Sequence, residues 1–290
     1  MITASLVKEL RDKTNAGMMD CKKALTETAG DLDAAVTWLR EKGISKAAGK
    51  ADREASEGII TARLSDDGKS GILLEINCET DFVSRNDNFV AFVDEVADTL
   101  AASDAKNLEE ALKVSKDGGT LDDFVKSKVI ELGENIQLRK FERFDLTDGG
   151  AIAQYIHMGG KVGVLVEVGA EQGETAAREE FREMVKDITL HIAAAAPKGL
   201  GPDDISTVEL EKEKDVYRAQ LLNEGKPADI IDKILVGKVN KFYSENCLLE
   251  QVSVKDPEGK QKIKALVEST GKNVGDQLVI RRFVRFGLGE

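Results

Sequence analysis

Histidine is nearly absent from the 290-residue sequence, which holds only His157 and His191. That scarcity argues against acid–base or metal chemistry, which usually recruits imidazole, so no catalytic, metal-ligating or cofactor-binding set is expected. The three cysteines, Cys21, Cys78 and Cys247, are far apart, odd in number and form no CxxC pair. They exclude a disulfide framework and leave reduced thiols as the expectation. Four prolines and no long Ser/Gln/Pro tract exclude a large unstructured tail. No apolar run approaches membrane-spanning length, and the N-terminus lacks the charged and apolar regions of a signal peptide, so a cytoplasmic chain without membrane contact is expected. Excess positive charge is missing too: the formal net charge is −12, which works against binding of nucleic acid. Residues 1–54 hold ten Lys/Arg against nine Asp/Glu, leaving −13 on the remainder, yet +1 is no nucleic-acid footprint.

What is present is a soluble composition, 41% hydrophobic and 32% charged, with length for two or three modest domains. It also contains a duplication. "GKSGILLEI" at 68–76 matches "GKVGVLVEV" at 160–168 with an offset of 92. The offset persists from Ile60 and Leu64, matching Ile152 and Ile156, to Phe89, Phe92, Val93, Val96 and Leu100, matching Phe181, Met184, Val185, Ile188 and Ile192. Each copy alternates apolar residues around a Gly-Lys turn, the pattern of a β-hairpin. An i, i+3, i+4, i+7, i+11 stripe then predicts an amphipathic helix covering one face of the sheet. "GENIQLRKFERF" at 133–144 pairs with "GDQLVIRRFVRF" at 275–286 as a closing strand, now at an offset of 142.

The offsets differ by 50 residues, so the second copy carries an insertion. The segment 206–246 fits it: Ser206 or Thr207 can cap a helix, Gly225-Lys226-Pro227 stops and restarts it, and a second helix follows. The fold class is therefore α+β. The first half-core is placed at 59–145, the second at 150–200 and 247–290, with a helical hairpin at 206–246. A three-helix module occupies 1–42, its helices marked by Leu6 and Leu10, by Met18 to Thr28, and by Asp31 capping a helix with Leu32, Val36 and Leu39. A charged connector is placed at 43–58.

The stretch "NCETDFVSRND", 77–87, sets Phe82 among charges just where an apolar strand ends. Shifted by 92, Asp81 and Phe82 fall on Gly173 and Glu174, so the second copy folds without an aromatic there. Two readings follow. Either Phe82 covers apolar surface beneath its own loop, or it is displayed for contact with something else.

"TDFV" at 80–83, "LVKELRDKTNAGMMDCKKAL" at 6–25, "GENIQLR" at 133–139 and "GKPADIIDKILVGKVNKF" at 225–242 together resemble the bacterial translation elongation factor Ts family, in order along essentially the whole chain. The resemblance implies a ubiquitin-associated-like N-terminal module, two related half-cores and a coiled-coil hairpin. It implies a guanine nucleotide exchange factor for the GTPase elongation factor Tu, binding its GDP-bound and nucleotide-free forms. Carried over by residue, Thr80, Asp81, Phe82 and Val83 would insert beside the GTPase's magnesium site, with Phe82 as wedge and Asp81 assisting. Met18, Met19, Lys22 and Lys23 match an N-terminal contact with the nucleotide domain. One of the two methionines is expected in the bundle core and one at the contact. His157, which replaces Ser65 of the first copy, matches a position near the GTPase's other domains; a satisfied surface histidine is its alternative. The sequence ends at Glu290, before a short helical module that the family often carries beyond this point.

An enzyme is the first rival, and little supports it: "GKSG" and "GKVG" lack P-loop spacing, and no nucleophile–base order stands out. A pure binding adaptor is the second, and it separates from an exchange factor by whether binding accelerates nucleotide release. The sequence leaves a homodimer open.

Overall fold

The computed structural model describes residues 2–14, 16–48, 50 and 52–290. Helices α1 (Ala4–Thr14), α2 (Met18–Glu27) and α3 (Leu32–Ala48) form the N-terminal module. Their core is Val7, Leu10, Cys21, Ala24, Leu25, Ala35 and Leu39, the positions that 3.6-residue periodicity places inward. Asp31 caps α3 by accepting the Ala34 N–H at 2.9 Å. That helix runs to Ala48, so the connector drawn at 43–58 starts inside it. Residues 49 and 51 of the connector lie outside the described residues.

The first half-core follows as β1 (Glu57–Leu64), β2 (Ser70–Cys78), the single turn α4 (Asp81–Ser84), α5 (Asp87–Ala101), α6 (Leu108–Lys113), the two-residue strands β3 (Ser115–Lys116) and β4 (Gly119–Thr120), α7 (Leu121–Leu132) and β5 (Gln137–Asp145). The second comprises β6 (Gly150–His157), β7 (Val162–Ala170), a 3-10 turn (Gly173–Ala177), α8 (Glu179–Ala195), α9 (Thr207–Asn223), α10 (Ala228–Asn246), α11 (Ile263–Val274) and β8 (Leu278–Gly287). The sheets are antiparallel, ordered β1-β2-β5 and β6-β7-β8, each with a register shift at the same repeat position, Glu75/Ile76 and Glu167/Val168. Helix α11 reproduces α7 at the offset of 142, and each ends on a glycine in the left-handed region, Gly133 (φ +80°) and Gly275 (φ +71°).

Central strands β2 and β7 are buried on both faces. Ile72, Leu74, Ile76 and Cys78 face α5 and α7, while Leu73 faces the other sheet. Val164, Val166 and Val168 likewise face α8 and α11, while Leu165 looks the other way. The two sheets therefore pack on each other through Ile60, Ala62, Leu73, Phe144, Ile152, Leu165 and Phe286, all but Ala62 paired by the two offsets. The second glycine of each Gly-Lys motif explains the closeness. A Cβ on Gly71 would stand 2.9 Å from Ile152 and 3.0 Å from Leu165; one on Gly163 would stand 2.4 Å from Ile60 and 2.8 Å from Leu73. The exchange of contacts is reciprocal at the rim: Arg282 lies 4.2 Å over the Phe144 ring and Lys140 5.4 Å over Phe286.

Two guanidiniums finish the core helices. Arg143 donates to the carbonyls of Leu100, in the last turn of α5, and of Ser103, both at 2.7 Å, and of Ala105 at 2.9 Å, tying the end of α5 and the loop after it to β5. Its counterpart Arg285 reaches the Ala193 carbonyl of α8. Helices α9 and α10 pair through Tyr217, Leu221, Ile231, Ile234 and Leu235, and meet the half-core where Phe242 covers Ile205 and Cys247. Among the described residues, no helix is long and apolar enough to cross a membrane.

Candidate partner-binding site

The segment after β2 leaves the sheet under several restraints. Cys78, fully buried, points its thiol at the Thr80 carbonyl, 3.3 Å away; burial, with the nearby Glu134 carboxylate adding to it, pushes that thiol up to about 12 and keeps it inert. Thr80 is the N-cap of α4, in extended geometry, and its hydroxyl oxygen accepts the Val83 N–H at 3.4 Å. Ser84 is buried and donates to the Asp81 carbonyl at 3.1 Å. Asn86 caps α5 by accepting the Asn88 N–H at 2.8 Å. The turn is thus fixed at both ends.

Glu134, from the loop between α7 and β5, holds the turn from below. One carboxylate oxygen accepts the N–H groups of Glu79 and Thr80, both at 3.0 Å, and the other accepts the Thr80 hydroxyl at 2.6 Å. In return Glu79 accepts the Asn135 N–H at 2.6 Å. The second copy repeats the arrangement. Asp276 accepts the N–H groups of Glu171 and Gln172 and the Thr175 hydroxyl, at 3.2, 3.0 and 2.6 Å, and these bonds hold its carboxyl below the usual aspartate range. What the two turns display differs: one presents Phe82, the other exposes Glu174.

Phe82 is 85% exposed, so the reading in which it covers its own loop does not hold in this geometry. Val83 does that work, half-buried against the helix side of the first core. Asp81 pairs with Arg85 at 3.1 Å on the outer surface, and Thr80 is spent on the clamp and the cap. The four residues taken from the sequence therefore divide: one displayed aromatic, one displayed acid and two anchors.

The N-terminal candidates sit together on the first turns of α2, with Lys22 and Lys23 exposed. Met18 and Met19 are 57% and 76% exposed, so neither methionine belongs to the bundle core. The division of one in the core and one at the surface is corrected: Cys21, Ala24 and Leu25 already fill the inward face of this short helix. His157 is exposed at the end of β6, where its ring stacks on Tyr155 (centroids 5.7 Å apart) and its Nδ1 lies 2.9 Å from the Tyr155 hydroxyl. The exposed Met158 follows it in left-handed backbone (φ +50°). Sequence pattern alone does not single out Glu134 and Asp276, although both sit at equivalent places in the "GENIQLR" and "GDQLVIR" segments. Among the described residues, no group of three His, Cys, Asp or Glu could hold a metal.

An exposed aromatic on a clamped turn is suited to contact with another molecule. The profile of the family described as Elongation factor TS matches residues 79–290. Elongation factor Ts of Clostridium perfringens (strain SM101 / Type A) is 48% identical over 291 residues, covering 100% of this chain and 94% of its own length. That of Halothermothrix orenii is 47% identical over 290 residues, covering 98% and 91%, and that of Trichlorobacter lovleyi is 44% identical over 292 residues, covering 100% and 93%. The chain belongs to the elongation factor Ts family.

Proposed function

We propose that this chain is a cytoplasmic guanine nucleotide exchange factor for the translational GTPase elongation factor Tu, and that it releases GDP by disturbing the GTPase's Mg²⁺ site with the Thr80–Val83 turn. Family membership supports the partner, and one observation supports the mechanism: Phe82 stands 85% exposed on a turn held rigid from both ends. A GTPase holds its nucleotide largely through Mg²⁺ bridging the phosphates to protein ligands. A phenyl ring pushed between elements that carry those ligands displaces them, and its own burial contributes about 1.5–3 kcal/mol toward holding the displaced state. Asp81 adds a negative charge beside the ring, and the carboxylate pairs at rest with Arg85. The chain itself makes and breaks no covalent bond in this scheme.

The exposed Met18, Met19, Lys22 and Lys23 of α2 form a second contact in this reading, methionine being an adaptable surface for a partner. The three N-terminal helices act as a ubiquitin-associated-like docking module, and α9 with α10 as a coiled-coil arm. His157 is a third, weaker contact. The experiment is release of a fluorescent GDP from elongation factor Tu. Acceleration by catalytic amounts of this protein is the expected result, whereas stable binding without acceleration would make it an adaptor.

A further inference from the structure

We propose that Glu134 is a positioning residue for nucleotide exchange: its carboxylate fixes the turn that presents Phe82, without touching the partner. The proposal rests on the reading of Phe82 as the inserted residue. Three donors converge on this one half-buried side chain, the N–H groups of Glu79 and Thr80 and the Thr80 hydroxyl. Because the Thr80 proton is committed to Glu134, the lone pairs of the same oxygen face the Val83 N–H and cap α4. Glu134 thereby determines Thr80, Thr80 determines the turn, and the turn aims Phe82. The carboxylate arrives on a loop whose course is itself fixed, by the left-handed Gly133 on one side and by the Asn135 N–H bonded to Glu79 on the other.

A displayed side chain inserts effectively only if its backbone is already ordered, since any ordering left for the complex opposes insertion. Removing the carboxylate frees the Glu79 and Thr80 amides and the turn's first residue, while Val83 still anchors its middle to the core. The duplicated fold supplies a matched control. Asp276 makes the same three kinds of bond in the second half-core, to a turn that displays Glu174 and no aromatic. Clamp loss there carries the structural consequences and none of the positioning.

The test measures fluorescent GDP release from elongation factor Tu, taking the saturating rate and the half-saturating factor concentration separately, together with thermal midpoints. Glu134→Ala is expected to lower the saturating rate about tenfold, the scale of a lost charge-assisted contact, with the half-saturating concentration moving less than about threefold. Glu134→Gln is expected to restore most of that rate, because its amide oxygen can accept the two backbone N–H groups and its NH₂ can donate to the Thr80 oxygen. Asp276→Ala is expected to lose similar thermal stability at an unchanged rate. In a Phe82→Ala background, Glu134→Ala is expected to add no further loss. A wild-type rate for Glu134→Ala alongside a slow Phe82→Ala overturns the positioning role alone, as does equal slowing by Asp276→Ala or a full multiplication of the two losses. A wild-type rate for Phe82→Ala overturns the reading of the wedge, and this proposal with it.

Discussion

Replacing Phe82 by alanine separates display from packing. The side chain is 85% exposed, so folding removes only the remaining small fraction of its surface from water. Full burial of a phenylalanine is worth about 1.5–3 kcal/mol, and that fraction of it is roughly 0.2–0.5 kcal/mol. For a chain of this size such a change lowers the thermal midpoint by less than about 2 °C. If the ring is buried in the GTPase at the point where nucleotide leaves, the full transfer term is lost from that state. The expected loss in release rate is then about 10- to 150-fold. The assay pairs a thermal melt with stopped-flow release of fluorescent GDP on the same preparation. A midpoint several degrees lower with release undiminished would refute the reasoning on both counts, since it would return Phe82 to the protein's own core.

The sheet–sheet contact is expected to reject the smallest addition: Gly163→Ala puts a methyl 2.4 Å from Ile60, and a loss of about 1–3 kcal/mol in urea unfolding checks it. His191 is buried, accepts the Val254 N–H through Nδ1 at 3.2 Å and so presents Nε2–H to Gln251 at 2.9 Å. Burial, only partly offset by the Gln251 contact, lowers its pKa. The unfolded chain therefore takes up this proton first, and stability is expected to fall as pH drops below about 6.5, by at most about 1.4 kcal/mol per pH unit. Urea midpoints at pH 7.5 and 5.5 measure it, and His191→Gln should remove that part of the slope. Deleting 206–246 behind a short linker should leave both sheets folded, because Leu248 still bonds to Gly199 at 2.9 Å; circular dichroism should lose only the 17- and 19-residue helices.

Much of the core was legible because a duplicated sequence tests itself. A period-two strand flanked by a helical stripe reads the same at two offsets, and the 50-residue difference between the offsets marks the insertion. Helix α7 and its counterpart α11 are not legible in the sequence: Leu121 and Val125 share only an apolar pattern with Ile263 and Val267, and neither segment stands out alone. In sequence the Gly-Lys motifs read as turns, whereas Gly71 and Gly163 serve the approach of one sheet to the other, which depends on the sheets facing each other. Glu134 was invisible for a related reason, since its partners lie 54 and 55 positions away and include two backbone amides that no side-chain pattern records. The exposed Phe82 was legible through what the second copy lacks. The methionines were not, since a short amphipathic helix gives no sign of which apolar residues its core can hold.

The central claim, that this factor expels nucleotide by displacing a metal rather than by filling the guanine pocket, has a thermodynamic signature. Factor and GDP must weaken each other by the same ratio, on the order of a hundredfold, or about 2.7 kcal/mol, and both must occupy the GTPase together for a moment. The decisive measurement is the dissociation rate of the complex between this protein and elongation factor Tu as GDP is raised, with and without excess Mg²⁺. The account predicts a rate that climbs with GDP and climbs further with Mg²⁺. A rate independent of GDP would contradict it.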